Sequence, residues 1–325
     1  MHTFNTDNIT AQTRRFKESD VMKFYPEGQN ASLLRTFDTL EDVKIAMMNG
    51  SVIESRVLLC DSGHNLHVDL GIIRGVIPRE EGAIGIDDGS TRDIALISKV
   101  NKPVCFTILG FQRDDTGNIS AILSRKAVQL GCKKSFIDNL REGDIIDARV
   151  THLEKFGAFI DIGAGINALI PIDMLSVSRI NHPRERLYEG ENIKVVLRKR
   201  EPNKLTFSLK ELLGTWTENA MLFEPGETVT GTVRSIETYG VFVELMPNLA
   251  GLAEPCDYLF EGQRVAVYIK SVLPDKMKIK LVIVEAFEEA EMAQELTYFV
   301  KSDHIDRFDY SPPHAPKIIT TVFDE

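Results

Sequence analysis

A chain of 325 residues with 43% hydrophobic and 26% charged side chains has the profile of a folded protein rather than a disordered or fibrous one, and at roughly 100–200 residues per domain it divides into two or three units. No run approaches about 18 consecutive apolar residues, which excludes a membrane-spanning helix, and the polar opening MHTFNTDNITAQTRRFKESD lacks the apolar core of a secretory signal, so a cytoplasmic location is expected. The net charge of −10 argues against a phosphate-bearing partner only until its distribution is read: residues 286–325 hold nine acidic and three basic side chains, whereas residues 142–211 hold eleven of each.

In chain order, residues 1–48 form an extension in which Thr39-Leu-Glu-Asp42 caps a helix. Then one pattern occurs three times. Gly50 to Val57, Gly143 to Val150 and Gly226 to Val233 each run from a glycine through alternating apolar positions to a valine, the signature of a half-buried strand. Second strands follow at Leu66–Leu70, Phe159–Ile162 and Val241–Leu245, and third strands at Gly75–Ile77, Ala168–Ile170 and Gly251–Ala253. Copies two and three resume at Glu189–Val196 and Glu261–Val267 and close on Lys204–Ser208 and Lys278–Leu281, while copy one closes on Ile119–Leu123. The second copy is expected to carry the longest insertion, Ile172 to Tyr188.

Five short strands per copy favour a closed barrel, which removes the exposed edges of an open sheet. The expected organisation is therefore mainly β: three tandem five-stranded barrels at 49–130, 142–211 and 225–285, with short helical connectors at 131–141 and 212–224 and a helical lead-in. Residues 286–325 are expected as an acidic extension. Its stretch 286–295 reads as a helix containing Glu288, Glu289, Glu291 and Glu295, and Leu296–Val300 with Ile305–Tyr310 reads as a hairpin.

The sharpest local signal is Lys155-Phe-Gly-Ala-Phe159, echoed by Thr238-Tyr-Gly-Val-Phe242. Aromatics three apart in a strand point to opposite faces, unless the glycine marks a turn or bulge that brings both rings to one side. Paired rings on an open face would stack successive bases of a single strand; otherwise one ring of each pair fills the barrel core. Basic residues accompany them: Arg149, His152 and Lys155 before the rings of copy two, Arg198, Lys199, Arg200 and Lys204 on its last strands, and Arg234, Lys270, Lys276, Lys278 and Lys280 in copy three. Such clusters serve either as a solvated face or, interleaved with aromatics, as a nucleic-acid surface.

Residues 49–285 resemble three RNA-binding repeats of the ribosomal protein S-one type, five-stranded OB barrels. The resemblance rests on the glycine-to-valine strand, Phe156–Gly163, Ala168–Asp173, Glu189-Gly190 and Ser208–Lys210, with Val68–Gly71, Ile77-Pro78 and Leu123–Lys126 in copy one. It implies an RNA surface made of Phe156 and Phe159 and of Tyr239 and Phe242; in copy one those two places hold His64 and His67. The family's histidine after strand three is replaced by Pro78, Pro171 and Glu254; its final-strand arginine by Lys204 and Lys278; and its preceding aspartate by Arg200 and Pro274.

His64-Asn-Leu-His67 with Cys60 and Asp61 supplies one ligand cluster where structural zinc needs two, so no metal or other cofactor is expected. Cys60, Cys105, Cys132 and Cys256 lack paired spacing and are expected as reduced, buried thiols. With no nucleophile or metalloprotease motif, the expected function is non-enzymatic binding of single-stranded RNA, with the first repeat facing the small ribosomal subunit. A protein-interaction scaffold, or an accessory factor in RNA decay or transcription, is the alternative.

Overall fold

The computed structural model describes residues 24–113, 117–202, 204–290 and 296–323. Helix α1 (Leu40–Met48) opens on Thr39, whose hydroxyl accepts the Asp42 N–H as the sequence implied. The first barrel comprises β1 (Ile53–Cys60), β2 (Leu66–Asp69), β3 (Arg74–Ile77), a single helical turn α2 (Ile94–Ile97), β4 (Pro103–Arg113) and β5 (Ile119–Ser124). Helix α3 (Arg125–Ser135) leads to the second barrel, β6 (Ile145–Glu154), β7 (Gly157–Asp161), β8 (Asn167–Pro171), β9 (Asn192–Glu201) and β10 (Lys204–Ser208). After α4 (Trp216–Ala220) come β11 (Thr228–Glu237), β12 (Gly240–Met246), β13 (Leu249–Ala253), β14 (Gln263–Leu273) and β15 (Lys278–Ala290). Strands β16 (Arg307–Asp309) and β17 (Thr320–Val322) form a separate pair.

All three barrels close in the same way: the first strand pairs with the second and fourth, and the third lies parallel to the fifth. Each first strand also slips register once, between Val57 and Leu59, Val150 and His152, and Val233 and Ser235. In the second barrel the slip follows inward Ile146, Ala148 and Val150, and it lets Leu153 also face the core. A bulge of this kind bends the strand and allows a small sheet to curl closed. The cores are mainly aliphatic, with Phe106 and Phe207 fully buried in the first and second and Trp216 buried in the third. No helix among the described residues is long and apolar enough to cross a membrane.

Three expectations about elements are corrected, and one about burial: Cys105 and Cys132 lie buried, whereas Cys60 and Cys256 are only half-buried. The longest insertion between third and fourth strands belongs to the first barrel, residues 78–102 around α2, against 172–191 in the second. Residues Ala286–Ala290 are not helical but extend β15, because β14 offers a ladder in which Ala286 faces Val265 and Ala290 faces Gln263; those pairs satisfy the backbone and override local helix preference. The rest of the expected helix lies outside the described residues. The expected hairpin is absent too: Phe308 pairs with Thr321, while Tyr298, Val300 and Ile305 pack against the second barrel and around Val196, Leu212 and Phe323.

The barrels are joined by buried polar contacts. Between the first two, Glu27 donates its N–H to Asp161 (2.7 Å), and its carboxylate accepts Arg125 Nε (2.6 Å), Arg125 Nη2 (3.0 Å) and Lys99 Nζ (2.7 Å). Gly165 leaves room for this arrangement, since a Cβ there would meet Arg125 Nη2 at 1.8 Å. Between the second and third barrels, Glu244 accepts Arg186 and both Nε and Nη2 of Arg234 (3.0 Å each). Asn248 there caps Val177 N–H (2.9 Å) and donates to the carbonyls of Lys210 and Gly214 (2.8 Å each). Residues 296–323 then run back across this joint, with Phe308 and Tyr310 in the third core and the Tyr310 hydroxyl donating to Asn248 O (2.7 Å).

Candidate nucleic-acid interface

Residues paired across strands share a face, so register alone assembles the surface. In the second barrel one row runs His152, Phe159, Leu169, Thr206, Lys199. In the third the corresponding row runs Ser235, Phe242, Leu252, Lys280, Ser271. Lys204 and Lys278 lie two residues before Thr206 and Lys280, hence on the same outer face and exposed.

Phe156 sits on the turn between β6 and β7, and Phe159 two residues after Gly157 in β7. Their centroids are 5.9 Å apart with planes at 89°, the edge-to-face arrangement that aromatic quadrupoles prefer. Tyr239 and Phe242 repeat it at 6.1 Å and 88°. Both rings of each pair therefore reach one side, and neither is core: Phe156 is 55% and Tyr239 63% exposed, while Phe159 and Phe242 are half-buried. The glycine works by close approach, because a Cβ on Gly157 would meet Ile170 O at 2.3 Å and one on Gly240 would meet Ala253 O at 2.4 Å. Lys155 is exposed beside Phe156 on the same turn.

Residues 139–210, which contain this second platform, match the S1 RNA binding domain. The chain is 30% identical over 273 residues to a small ribosomal subunit protein bS1 homolog of Bacillus subtilis strain 168, covering 78% of this chain and 68% of that protein. It is 31% identical over 311 residues to small ribosomal subunit protein bS1 of Staphylococcus aureus strain COL, covering 86% and 76%. The Staphylococcus epidermidis protein is 32% identical over 269 residues, covering 77% of this chain and 65% of its own length, so the chain spans about two thirds to three quarters of these relatives.

The chain belongs to the bS1 family of ribosomal RNA-binding proteins.

Within this bS1-type array the cations expected from sequence have different fates. His152 keeps its place in the platform row, with Nε2 2.8 Å from Glu154 and Nδ1 3.0 Å from Glu189; the hydrogen bond to Glu154, supported by Glu189, raises its pKa and favours the imidazolium. Arg149 lies at the platform's edge, donating to Gly28 O (3.2 Å) and Asn192 Oδ1 (3.0 Å). Three arginines are committed elsewhere. Arg234 is 7% exposed between Glu185 and Glu244 at the second joint. Arg200 donates to the carbonyls of Ile137 and Leu140 at the end of the connector. Arg198 donates to Val322 O (3.4 Å) and lies 5.6 Å from the centre of the Phe323 ring.

The first barrel has the same scaffold with other contents. Its row runs Leu59, His67, Val76, Ile122, Gly110, with no aromatic pair and no lysine. His67 is tied to Asp61 (2.9 Å), whose carboxyl that bond holds well below the usual range, and His64 sits in the left-handed region at φ 62°. Among the described residues no group of His, Cys, Asp and Glu is arranged to hold a metal ion. The sequence reading also overlooked β4 of this barrel and the Thr215–Glu218 capping box of α4, both of which carry readable patterns.

Proposed function

We propose that the protein holds single-stranded RNA on the outer faces of its second and third barrels and does so at the small ribosomal subunit in the cytoplasm, with the first barrel turned to a protein partner there. The observation that carries the reading is the repeated edge-to-face ring pair at 5.9 and 6.1 Å, set in equivalent register positions beside exposed lysines. An edge-to-face pair leaves a face of each ring free, and every nucleobase offers a π-face to stack there at about 1–3 kcal/mol per base. The lysines supply the salt-dependent attraction to the backbone. Paired bases are already stacked, so single strands are the fitting ligand.

The first barrel supports a protein contact instead, since Leu59 is 50% exposed in the row where the other barrels carry His152 and Ser235. Titration of the full chain with a fluorescent single-stranded RNA, in competition with the same sequence as duplex, tests the reading. Preference for the single strand by about tenfold or more, with affinity falling as salt rises, is expected. Equal competition by duplex would refute it.

A further inference from the structure

A groove of about 1020 Å³ separates the first and second barrels and opens onto the platform of the second. One wall is the segment between α2 and β4 of the first barrel, with Ser98, Lys99 and Lys102. The other is β6 from Arg149 to His152 together with Phe159, and Lys133 of α3 stands at its side. The lining carries Lys99, Lys102, Arg125, Lys133 and Arg149 against Glu27, Asp161 and Glu189, an excess of two positive charges before His152 is counted. In a chain of net charge −10 this is a local reversal of sign. Within the joint Arg125 and Lys99 balance Glu27 and Asp161, so the excess comes from Lys102, Lys133 and Arg149 against Glu189. Lys102 and Lys133 are exposed, Lys133 reaching only the exposed Asp138 at 2.6 Å.

We propose that this groove is a second part of the RNA site, in which the backbone of a strand whose base is stacked on Phe159 continues between the barrels and lays its phosphates against Lys102 and Lys133. The inference rests on the platform reading above, because Phe159 is both a ring of the platform and part of the groove wall. It gives the first barrel a role in RNA binding that its own strand faces lack. Its contribution comes from the segment before β4 and requires the joint that fixes it beside the second barrel. A polyanion of extended form fits this lining, since the positive side chains lie on both sides of the channel and the half-buried ring of Phe159 is part of it.

The test uses the full chain and fluorescent oligouridylates of about 4 and about 16 nucleotides, the range of site sizes of OB barrels. The charge reversals Lys102→Glu and Lys133→Glu, made together, are compared with Phe156→Ala/Phe159→Ala. A control, Lys44→Glu/Lys301→Glu, changes net charge equally at exposed sites outside the groove. The groove variant is expected to bind the long RNA about tenfold or more weakly, with the slope of log K against log salt reduced by about 1.4 for two lost phosphate contacts, and to bind the short RNA like the control. The platform variant is expected to lose both. A groove variant matching the control at both lengths, with the platform variant impaired, overturns the groove and leaves the platform standing. A platform variant that binds like the parent removes the reading on which the continuous path depends. Unchanged urea unfolding of each variant shows that the losses are not of folding.

Discussion

The first and second barrels share strand order, the register slip in the first strand and the parallel closure, yet one presents Leu59, His67, Val76 and Ile122 where the other presents His152, Phe159, Leu169 and Thr206. The scaffold is set by inward residues that alternate along each strand, and these are nearly interchangeable aliphatics. The outward residues bear no such constraint. The same fold can therefore display a pair of outward aromatic rings or an apolar strip, and a handful of side chains decides which.

The contrast has meaning only if the two barrels act as one body, so the joint is the place to break it first. Glu27→Ala leaves Arg125 buried without its carboxylate and should cost about 3–5 kcal/mol in urea unfolding, with the first barrel opening separately. The two cations hold the Glu27 carboxyl at about 2 against its burial, below its unfolded value of 4.5. Its stabilisation is thus complete above about pH 4.5 and is lost as the pH falls through 2.

The second test addresses the platforms. Phe156→Ala/Phe159→Ala should weaken single-stranded RNA binding by about 2–4 kcal/mol, because two stacking surfaces vanish while the exposed turn keeps its fold. His67→Ala, at the equivalent position of the first barrel, should change affinity by less than about 0.5 kcal/mol. Comparable losses in both would erase the distinction between the barrels.

The smallest effect sharpens the comparison at the fourth residue after the leading glycine. In the first barrel this is Glu54, fully buried and accepting the Gly28 N–H (3.2 Å) at its carboxylate; in the second it is Asp147, partly exposed and paired with Lys194 at 3.0 Å. Burial pushes the Glu54 carboxyl up to about 7. The folded state then holds a proton that the unfolded chain releases near 4.5, so stability falls as pH rises between about 4.5 and 7. Glu54→Gln should raise stability at pH 8 by about 1–3 kcal/mol and leave it unchanged near pH 4.5, measured by thermal unfolding across that range.

Period-two alternation made the three strand sets legible, because a half-buried strand writes its own face into the sequence, but it left open whether both rings of each pair reach one face, which depends on the close packing at Gly157 and Gly240. The fate of the arginines was not legible. Arg234 is claimed by Glu185, 49 positions earlier, and Arg200 by carbonyls some 60 positions away, and charge density along the chain carries no record of such distant partners. Ala286–Ala290 misled for a related reason, since helix-favouring residues were outweighed by a neighbouring strand with free ladder positions. The fourth strand of the first barrel lay behind the long insertion 78–102, where the repeat no longer lines up.

The returning segment 296–323 also imposes an order on assembly during synthesis. The first joint can close once Asp161 and Gly165 have emerged, whereas the second cannot be completed until Phe308, Tyr310 and Thr321 are available to the third core, to Asn248 and to Glu211. At about 5–20 residues per second, the 20 residues from Ala290, the end of β15, to Tyr310 take about 1–4 s to make. For that interval the nascent chain carries three barrels, the third held against the second by the Glu244 and Asn248 contacts without the returning segment, so the packing of that segment is the last feature of the molecule to be settled.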